Sequence, residues 1–300
     1  MSDPEIVVET DPEEAFTALA DETRVAILQA LWSPSKDWSA REDHGFSELR
    51  EAVGMRDSGQ FNYHLDKLTG RFVRKTDEGY QLTLAGRQVV GAIRAGSYTM
   101  SGSVEPLDLD EPCPTCGAVL TLQYEDEQVD IACAECNHRL GFWIPPGVFE
   151  DVAREDFPRV ASRYMRASVR KMKAGFCWFC EGTMATELVA VDELVPAGAS
   201  EVSLDGDLPM VRYRCTRCGA SVTSDLGTAV LDEPEVAAFH ESHGIDVVGD
   251  DWWHHSVLEP DDAHFGEEGG ACVHYHAGGE TLRVRVDEAL DVVETERAAD

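Results

Sequence analysis

The chain has 300 residues, and its 57 acidic against 25 basic side chains give a formal net charge of −32 and a pI near 4.5. Its hydrophobic content of 43% is enough to bury several modest cores, and its length is typical of two or more domains. The start of the chain is acidic, and no apolar run approaches the roughly 18 residues that span a bilayer. The composition therefore argues against a secretory signal and a membrane protein, and it predicts a cytoplasmic one.

The N-terminal third contains an ordered series of helix and strand signals after an acidic tail at residues 1–10. A first helix begins with a capping Asp11, followed by Pro12 and acids, keeps helical apolar spacing and ends before Pro34. The later elements are a short helix over Ser47–Gly54, a helix over Ser58–Leu68, strands over Phe72–Lys75 and Tyr80–Leu82, and a helix capped by Thr83 that runs through Ala95. This order predicts a winged helix-turn-helix domain over residues 11–97.

Two stretches of this region resemble ArsR-type transcription regulators. Residues 18–28, ALADETRVAIL, resemble the family's opening helix, and residues 58–68, SGQFNYHLDKL, resemble its recognition helix. The resemblance covers about a third of the chain and implies a DNA-binding regulator. Many members carry a metal-sensing cysteine pair at the start of the recognition region, but Phe46–Met55 contains no cysteine, so metal sensing of that kind is not implied.

The predicted helix Ser58–Leu68 has one apolar and one polar face. Phe61, Leu65 and Leu68 share the apolar face, which is expected to pack on the first helix. Amide side chains suit adenine and basic side chains suit phosphate, so we interpret the polar residues as contacts to double-stranded DNA. The candidate contacts are Arg56, Ser58, Gln60, Asn62, Tyr63, His64 and Lys67, with Arg74 and Lys75 of the hairpin. Because such modules read half-sites one helical turn apart, a homodimer through the first and last helices is expected.

Residues 98–112 are rich in Gly, Ser, Pro and acids and are interpreted as a linker. Beyond them, eight of the nine cysteines form four Cys-x-x-Cys pairs: Cys113/Cys116, Cys133/Cys136, Cys177/Cys180 and Cys215/Cys218. Two such pairs supply the four thiolates of a closed tetrahedral Zn²⁺ site, so two structural zinc ions are predicted. Sequence order favours one zinc ribbon over residues 113–147 and a second over 175–230, while pairing of the first with the third pair stays open.

Residues 148–174, between the two ribbons, are interpreted as a helix or a broken helix. One of its faces carries a basic stripe, formed by Arg159, Arg163, Arg166, Arg170 and Lys173 at helical spacing. The stripe could track phosphate, could dock against the acidic C-terminal segment, or could be a solvated helix face, which is what charge runs usually are.

The last segment, residues 231–300, is the most acidic, with nineteen acids against three arginines. Strand-like runs at Ala271–His276, Thr281–Val286 and Leu290–Thr295 are separated by turn signals and predict a small antiparallel sheet. Cys272, His274 and His276 alternate and would share one face of a strand. Such groups are more often surface or structural residues than a third metal site.

The acid-rich composition, with only five lysines, resembles that of halophilic archaeal proteins, and the C-terminal arrangement is similar to haloarchaeal ArsR-like regulators. High salt screens charge repulsion within about 3 Å at 1 M, which suits so acidic a chain. The alternative interpretation is an ordinary acidic protein with disordered tails.

The sequence therefore predicts an α+β protein with an N-terminal winged helix-turn-helix, two zinc ribbons joined by a helix and a small C-terminal antiparallel sheet. Its expected function is DNA-binding transcription regulation. An enzyme is not expected, because four-sulfur sites leave no open coordination position and no catalytic motif is recognisable. The alternative is an adaptor of the transcription machinery, whose ribbons or tail bind other proteins and which does not read DNA sequence.

Overall fold

A computed structural model describes residues 11–32, 43–136, 138–194, 207–247, 261–267 and 269–299. The acidic tail expected at residues 1–10 lies outside these ranges. The chain divides into two compact units, Met1–Met100 and Ser101–Asp300, which are mixed α+β and contain several small sheets. Among the described residues, no helix combines the length and apolar character needed to cross a bilayer.

The first unit begins with two helices, α1 (Pro12–Leu19) and α2 (Glu22–Ala30), where the sequence predicted one. The backbone leaves the helical region at Ala20, and the Asp21 carboxylate accepts a hydrogen bond from the Arg24 N–H at 3.1 Å. A side-chain cap of this kind starts a new helix, which explains the break inside an otherwise continuous apolar pattern.

Two further helices follow, α3 (Phe46–Ala52) and α4 (Ser58–Leu68), and α4 has the bounds that the sequence predicted. Gly54 adopts a left-handed φ of 68° just after α3, which ends that helix as glycine commonly does. The Asp57 carboxylate caps α4 by accepting the Gln60 N–H at 2.8 Å.

A two-stranded antiparallel hairpin and a last helix complete the unit. The strands are β1 (Val73–Lys75) and β2 (Tyr80–Leu82), with Arg74 opposite Gln81. The Thr83 hydroxyl caps α5 (Leu84–Arg94) by accepting the Gly86 N–H at 3.1 Å. The predicted apolar face of α4 is confirmed, because its residues are buried with those of α2 and α5: Ile27, Leu28, Phe61, Leu65, Leu68 and Val90.

The second unit begins with a four-stranded antiparallel sheet: β3 (Val104–Pro112), β4 (Val119–Glu125), β5 (Gln128–Cys133) and β6 (Arg139–Trp143). The composition of residues 98–112 predicted a linker where β3 lies. Leu109 is buried between exposed Asp108 and Asp110, so the strand alternates, but its solvent side is so acidic that composition alone favoured a linker.

A long helix, α6 (Phe157–Lys173), follows two short 3₁₀ turns at Pro146–Phe149 and Arg154–Asp156, in line with the broken helix expected over residues 148–174. Phe157 and Ala161 belong to the core of the first sheet, and Met172 belongs to the next core. One helix thus connects two hydrophobic cores.

The remainder contains a three-stranded and a four-stranded antiparallel sheet. The first is formed by β7 (Met184–Ala190), β8 (Pro209–Cys215) and β9 (Ser221–Asp225), followed by α7 (Leu226–Ala229) and α8 (Pro234–Ser242). The second is formed by β10 (Ala263–Phe265), β11 (Ala271–Ala277), β12 (Glu280–Val286) and β13 (Val292–Ala299). Its last three strands correspond to the predicted meander, and β10 was not predicted. Val211, Tyr213, Val273 and Val284 lie in one core, so the two sheets share their interior.

Candidate metal centres and nucleic-acid interface

The first two Cys-x-x-Cys pairs converge on one point at the end of the first sheet. The four sulfur atoms of Cys113, Cys116, Cys133 and Cys136 all lie within 4.8 Å of one another. The Cys113 and Cys136 sulfurs are 3.7 Å apart, and those of Cys116 and Cys133 are 3.5 Å apart.

Tight backbone turns place these sulfurs. The Cys113 N–H donates to the Ala118 carbonyl at 2.7 Å, and the Gly117 N–H donates back to the Cys113 carbonyl at 2.9 Å. Gly117 has a left-handed φ of 74°, which few other residues adopt at low cost. The second pair sits where β5 ends, and the His138 N–H points at the Cys136 sulfur at 3.5 Å.

The last two pairs form a second cluster of the same design. The sulfurs of Cys177 and Cys218 are 3.8 Å apart, those of Cys180 and Cys215 are 3.5 Å apart, and all four lie within 4.8 Å. The backbone turns repeat, because the Cys215 N–H donates to the Ala220 carbonyl at 2.8 Å. Each cluster is therefore built from neighbouring pairs, and the swapped pairing is excluded.

The spacing of the sulfurs fits metal coordination. A tetrahedral Zn²⁺ with bonds of about 2.3 Å places its sulfur ligands about 3.8 Å apart, whereas a disulfide needs about 2.05 Å. The observed distances of 3.5–3.8 Å match the first arrangement, and all eight cysteines are free thiols. Both clusters can hold a metal ion, and four sulfur ligands leave no open position for substrate.

Within each cluster, one thiol has a lowered pKa and another has a raised pKa. Hydrogen bonds from the N–H groups of Cys218 and Arg217 lower the pKa of Cys215 to about 6, and burial opposes this shift. The Gly182 N–H favours the thiolate of Cys180, but burial and the neighbouring thiols outweigh it and raise the pKa to about 12. Ionisation of one thiol thus raises the free-energy cost of ionising the next one in the same cluster. A divalent cation at the centre lowers that cost.

The first cluster shows the same split. Burial acts to raise the pKa of Cys133, but the N–H groups of Glu135 and Cys136 outweigh it and lower the pKa to about 7. The His138 N–H favours the thiolate of Cys136, but burial and the other cysteines raise its pKa to about 12. Both clusters therefore have the electrostatics of a cation site.

Most predicted DNA contacts on α4 lie on its exposed face. Tyr63 is 58% exposed, and Lys67 lies over its ring at 5.6 Å from the centroid. Ser58, Gln60 and Asn62 are exposed as well, and the Asn62 amide donates to Asp66 at 2.8 Å. The exposed groups therefore form one polar surface along the helix.

His64 is a correction to the predicted set, because it is only 8% exposed. Its Nδ1 lies 3.3 Å from the Asp21 carboxylate at the start of α2. Position 64 is three residues after Phe61, on the buried stripe of the helix, although His64 was predicted as a DNA contact together with the exposed polar residues.

The basic residues of the hairpin are exposed. The Arg74 guanidinium donates to the Gln81 side chain at 3.0 Å, and Lys75 lies 5.8 Å from the centroid of the Tyr80 ring. Arg56, in the turn before α4, is exposed too. These side chains leave their charges at the surface of the first unit.

The C-terminal end of the basic stripe of α6 is paired with acidic side chains. Lys173 donates to Asp232 at 2.6 Å and to Glu233 at 3.0 Å, and Arg170 donates to Asp232 at 3.2 Å. These contacts pull the pKa of the Asp232 carboxyl below its usual value, although burial opposes the shift. The C-terminal part of the stripe therefore docks onto the acidic segment, one of the roles that the sequence left open.

The alternating residues of β11 do not complete a further four-ligand set. The Cys272 sulfur lies 3.8 Å from His274 Nε2 and accepts a hydrogen bond from Arg283 Nε at 3.3 Å. His276 instead contacts Asp262 and Thr281. In the described part of the chain, the two cysteine clusters are the groups of three or more close metal-ligating side chains.

Sequence reasoning missed one exposed group, the aromatic residues that flank the second cluster. Phe176 and Phe179 are 54% and 63% exposed. Their signal is visible in the sequence as two phenylalanines on either side of Cys177, in a position that no packing pattern requires.

Two family models match the chain. One, described as a domain of unknown function (DUF7351), matches residues 110–292, and the other, also described as a domain of unknown function (DUF7347), matches residues 12–93. The first match covers more than half of the chain and contains both cysteine clusters, and the second contains α4 and the hairpin. No curated protein and no solved structure matches the chain.

Proposed function

Because the chain belongs to the DUF7351 family, a domain of unknown function, we infer its role from its own residues and propose a DNA-binding transcription regulator with two structural zinc sites. In this proposal the first unit is a winged helix-turn-helix that binds double-stranded DNA. Helix α4 enters the major groove, the β1–β2 hairpin is the wing, and each cysteine cluster holds one Zn²⁺.

The two-faced character of α4 carries the proposal. Its apolar residues anchor the helix in the core, while Gln60, Tyr63 and Lys67 remain exposed. A helix held in this way presents a rigid polar surface, and amide side chains can make bidentate contacts to adenine in the major groove. The preceding α3 and the following hairpin appear in the order that a winged domain requires.

The distribution of charge supports DNA binding by the same surface of the first unit. Residues 23–95 carry eleven basic and nine acidic side chains, a balance of +2 in a chain whose total is −32. Arg56, Arg74 and Lys75 are exposed around α4 and the hairpin, where they suit phosphate contacts. The net negative charge of the rest of the chain disfavours contact with duplex DNA, which makes the first unit the favoured region for duplex binding.

A homodimer fits exposed apolar residues of the first unit. Phe16 of α1 and Leu84 of α5 are largely exposed, as is Tyr98 just beyond α5. Large apolar side chains in this number at a surface commonly mark an interface. We place the dimer contact on α1 and α5, which would pair two α4 helices for half-sites one helical turn apart.

The zinc ions have a structural role in this proposal. Four thiolates close the coordination sphere, so the metal holds the ends of β-hairpins together and supplies no catalytic water. The protein is therefore proposed to act by binding, and an enzyme is not proposed.

Selection of bound DNA tests the proposal directly. Full-length protein is incubated with fragmented DNA from the organism that encodes it, and retained fragments are sequenced to define a motif. The double variant Gln60→Ala/Tyr63→Ala is expected to lose affinity for that motif by tenfold or more, since each base contact contributes about 1–3 kcal/mol. Gln29→Ala is the matched control, because Gln29 is an exposed glutamine on α2.

The result separates the two candidate functions. If the double variant retains the same fragments as the wild type, or if the wild type enriches no motif, the first unit does not read DNA through α4. An adaptor that binds other proteins would then be the better interpretation.

A further inference from the structure

The surface of the second cysteine cluster carries two exposed aromatic rings in fixed positions. Phe176 and Phe179 flank the buried Cys177. The Phe176 N–H donates to the Lys171 carbonyl at the end of α6 at 3.1 Å, and the Phe179 N–H points at the Cys177 sulfur at 3.4 Å. The Phe179 ring also contacts the half-buried Trp178 ring at a centroid distance of 4.8 Å. The helix end and the sulfur cluster therefore hold both rings at the surface.

Basic residues of the second unit are concentrated on the same elements. Of the fourteen Lys and Arg residues after position 100, nine lie in residues 157–180 and 209–224, and neither range contains an acid. Residues 157–180 comprise α6 and lead into Cys177, and residues 209–224 include β8, which ends at Cys215. The second unit is acidic as a whole, and its basic side chains are thus concentrated on the elements that carry the second cysteine cluster.

Part of this charge is available at the surface. Lys171 is paired with Glu181 and Arg212 with Glu187, both at 2.6 Å. Arg214 and Arg217 are exposed and have no acidic partner within the described ranges. Arg217 donates to the carbonyl of Cys180 at 3.2 Å, which places its guanidinium beside the turn that carries Phe179.

The first cluster provides an internal comparison. Its Cys-x-x-Cys turns contain Pro114-Thr115 and Ala134-Glu135, with no aromatic residue, and residues 113–147 hold five acids and one arginine. Its sulfur geometry is nevertheless the same. Exposed phenylalanines and arginines are therefore not needed to build a four-sulfur site. Their presence at the second cluster is explained if this surface binds a ligand.

The combination of rings and guanidinium groups selects the class of ligand. Bases stack on exposed aromatic side chains, and phosphates pair with arginine. Bases inside a duplex are already stacked on one another, so stacking on protein requires unpaired nucleotides. We propose that Phe176, Phe179, Arg214 and Arg217 form a binding surface for single-stranded nucleic acid, either RNA or unpaired DNA.

Fluorescence anisotropy with labelled oligo(dT) and oligo(U) of about twelve nucleotides tests the surface on the full-length protein and distinguishes the two sources. The variant Phe176→Ala/Phe179→Ala is expected to weaken binding about tenfold or more. Arg214→Gln/Arg217→Gln is expected to weaken binding and to flatten its dependence on KCl. Trp143→Ala, which removes a 56% exposed ring from the end of β6 that pairs with Gln128, away from both cysteine clusters, is the matched control and is expected to bind as the wild type does.

A metal measurement and two further variants separate loss of the rings from loss of the fold and from failure of the duplex proposal. Each variant must retain the metal content of the wild type, and Phe179→Leu, which keeps an apolar side chain but removes the ring, is expected to weaken binding as well. Tyr63→Ala is expected to leave single-strand binding unchanged, so a failure of the duplex proposal does not affect this one. The proposal is wrong if the wild type binds neither oligonucleotide, or if Trp143→Ala weakens binding as much as the phenylalanine variants.

Discussion

Gly86 and Gly91 lie on the same helix, α5, but meet different surroundings. A Cβ atom at Gly86 would lie 2.2 Å from the carbonyl oxygen of Phe72, whereas one at Gly91 would meet no described atom outside its own stretch of helix within 4 Å. We expect Gly86→Ala to lower the free energy of unfolding of the first unit by about 1–3 kcal/mol or more, because the hairpin backbone must move. Gly91→Ala should raise it by about 0.5–1 kcal/mol, since alanine favours the helix.

Hydrogen–deuterium exchange of the α4 and α5 peptides in the full-length protein measures both effects. Protection should fall in Gly86→Ala and rise slightly in Gly91→Ala. Equal protection in the two variants would mean that α5 does not pack against the backbone of Phe72 as the structure places it.

His64 shows where sequence reasoning about single residues stops. Its position relative to Phe61 and Leu65 favours the buried stripe, but residue type alone favoured the surface. The contact that decides the matter is with Asp21, 43 positions away in the sequence, and no local pattern identifies such a partner. The exposed Phe176 and Phe179 are the opposite case, because apolar character alone would have placed them in a core.

Each cysteine cluster is expected to bind its own zinc ion, so the number of zinc ions per chain can be measured in variants of either cluster. We expect two zinc ions per chain by native mass spectrometry, one fewer in Cys116→Ser, and one fewer in Cys218→Ser, because a hydroxyl is a poor replacement for a thiolate ligand. Cys272→Ser is the control and should keep both ions, since within the described ranges Cys272 contacts one other metal-ligating side chain, His274.

Removal of zinc by a chelator should affect the strands and turns that carry the cysteines. Removal of zinc is expected to increase hydrogen exchange in β4, β5, β8 and the turn that follows each cluster, because like-charged thiolates then face one another without a cation. A protein that keeps native exchange rates after complete metal removal would show that the sulfur clusters do not stabilise the sheets.

Sequence patterns predicted the elements whose signals are local. The bounds of α4 follow from the Asp57 cap and its apolar spacing, and the C-terminal strands follow from alternation and glycine turns. β3 was missed because its solvent face is acidic, and the α1–α2 break was missed because the Asp21 cap lies within a helical pattern. The shared core of the last two sheets depends on contacts between distant segments, which a single sequence does not reveal.

At the scale of the whole molecule, a net charge of −32 opposes the binding of any nucleic acid. Each phosphate contact normally makes log K fall with log[salt] at a slope near −0.9, because condensed cations are released. In this chain added salt also screens the repulsion between the acidic remainder and DNA, and this second effect has the opposite sign. Binding should therefore tolerate salt better than its number of phosphate contacts suggests.

The slope of log K against log[KCl] for the selected duplex motif, measured from about 0.2 M to above 1 M, tests this argument. We expect a slope clearly smaller in magnitude than 0.9 for each phosphate contact, and we expect Arg74→Gln and Lys75→Gln each to reduce it by about 0.9 if their side chains contact phosphate. A steep loss of affinity over this range would show that phosphate contacts dominate. Base contacts by the exposed face of α4 could then not be the main source of affinity.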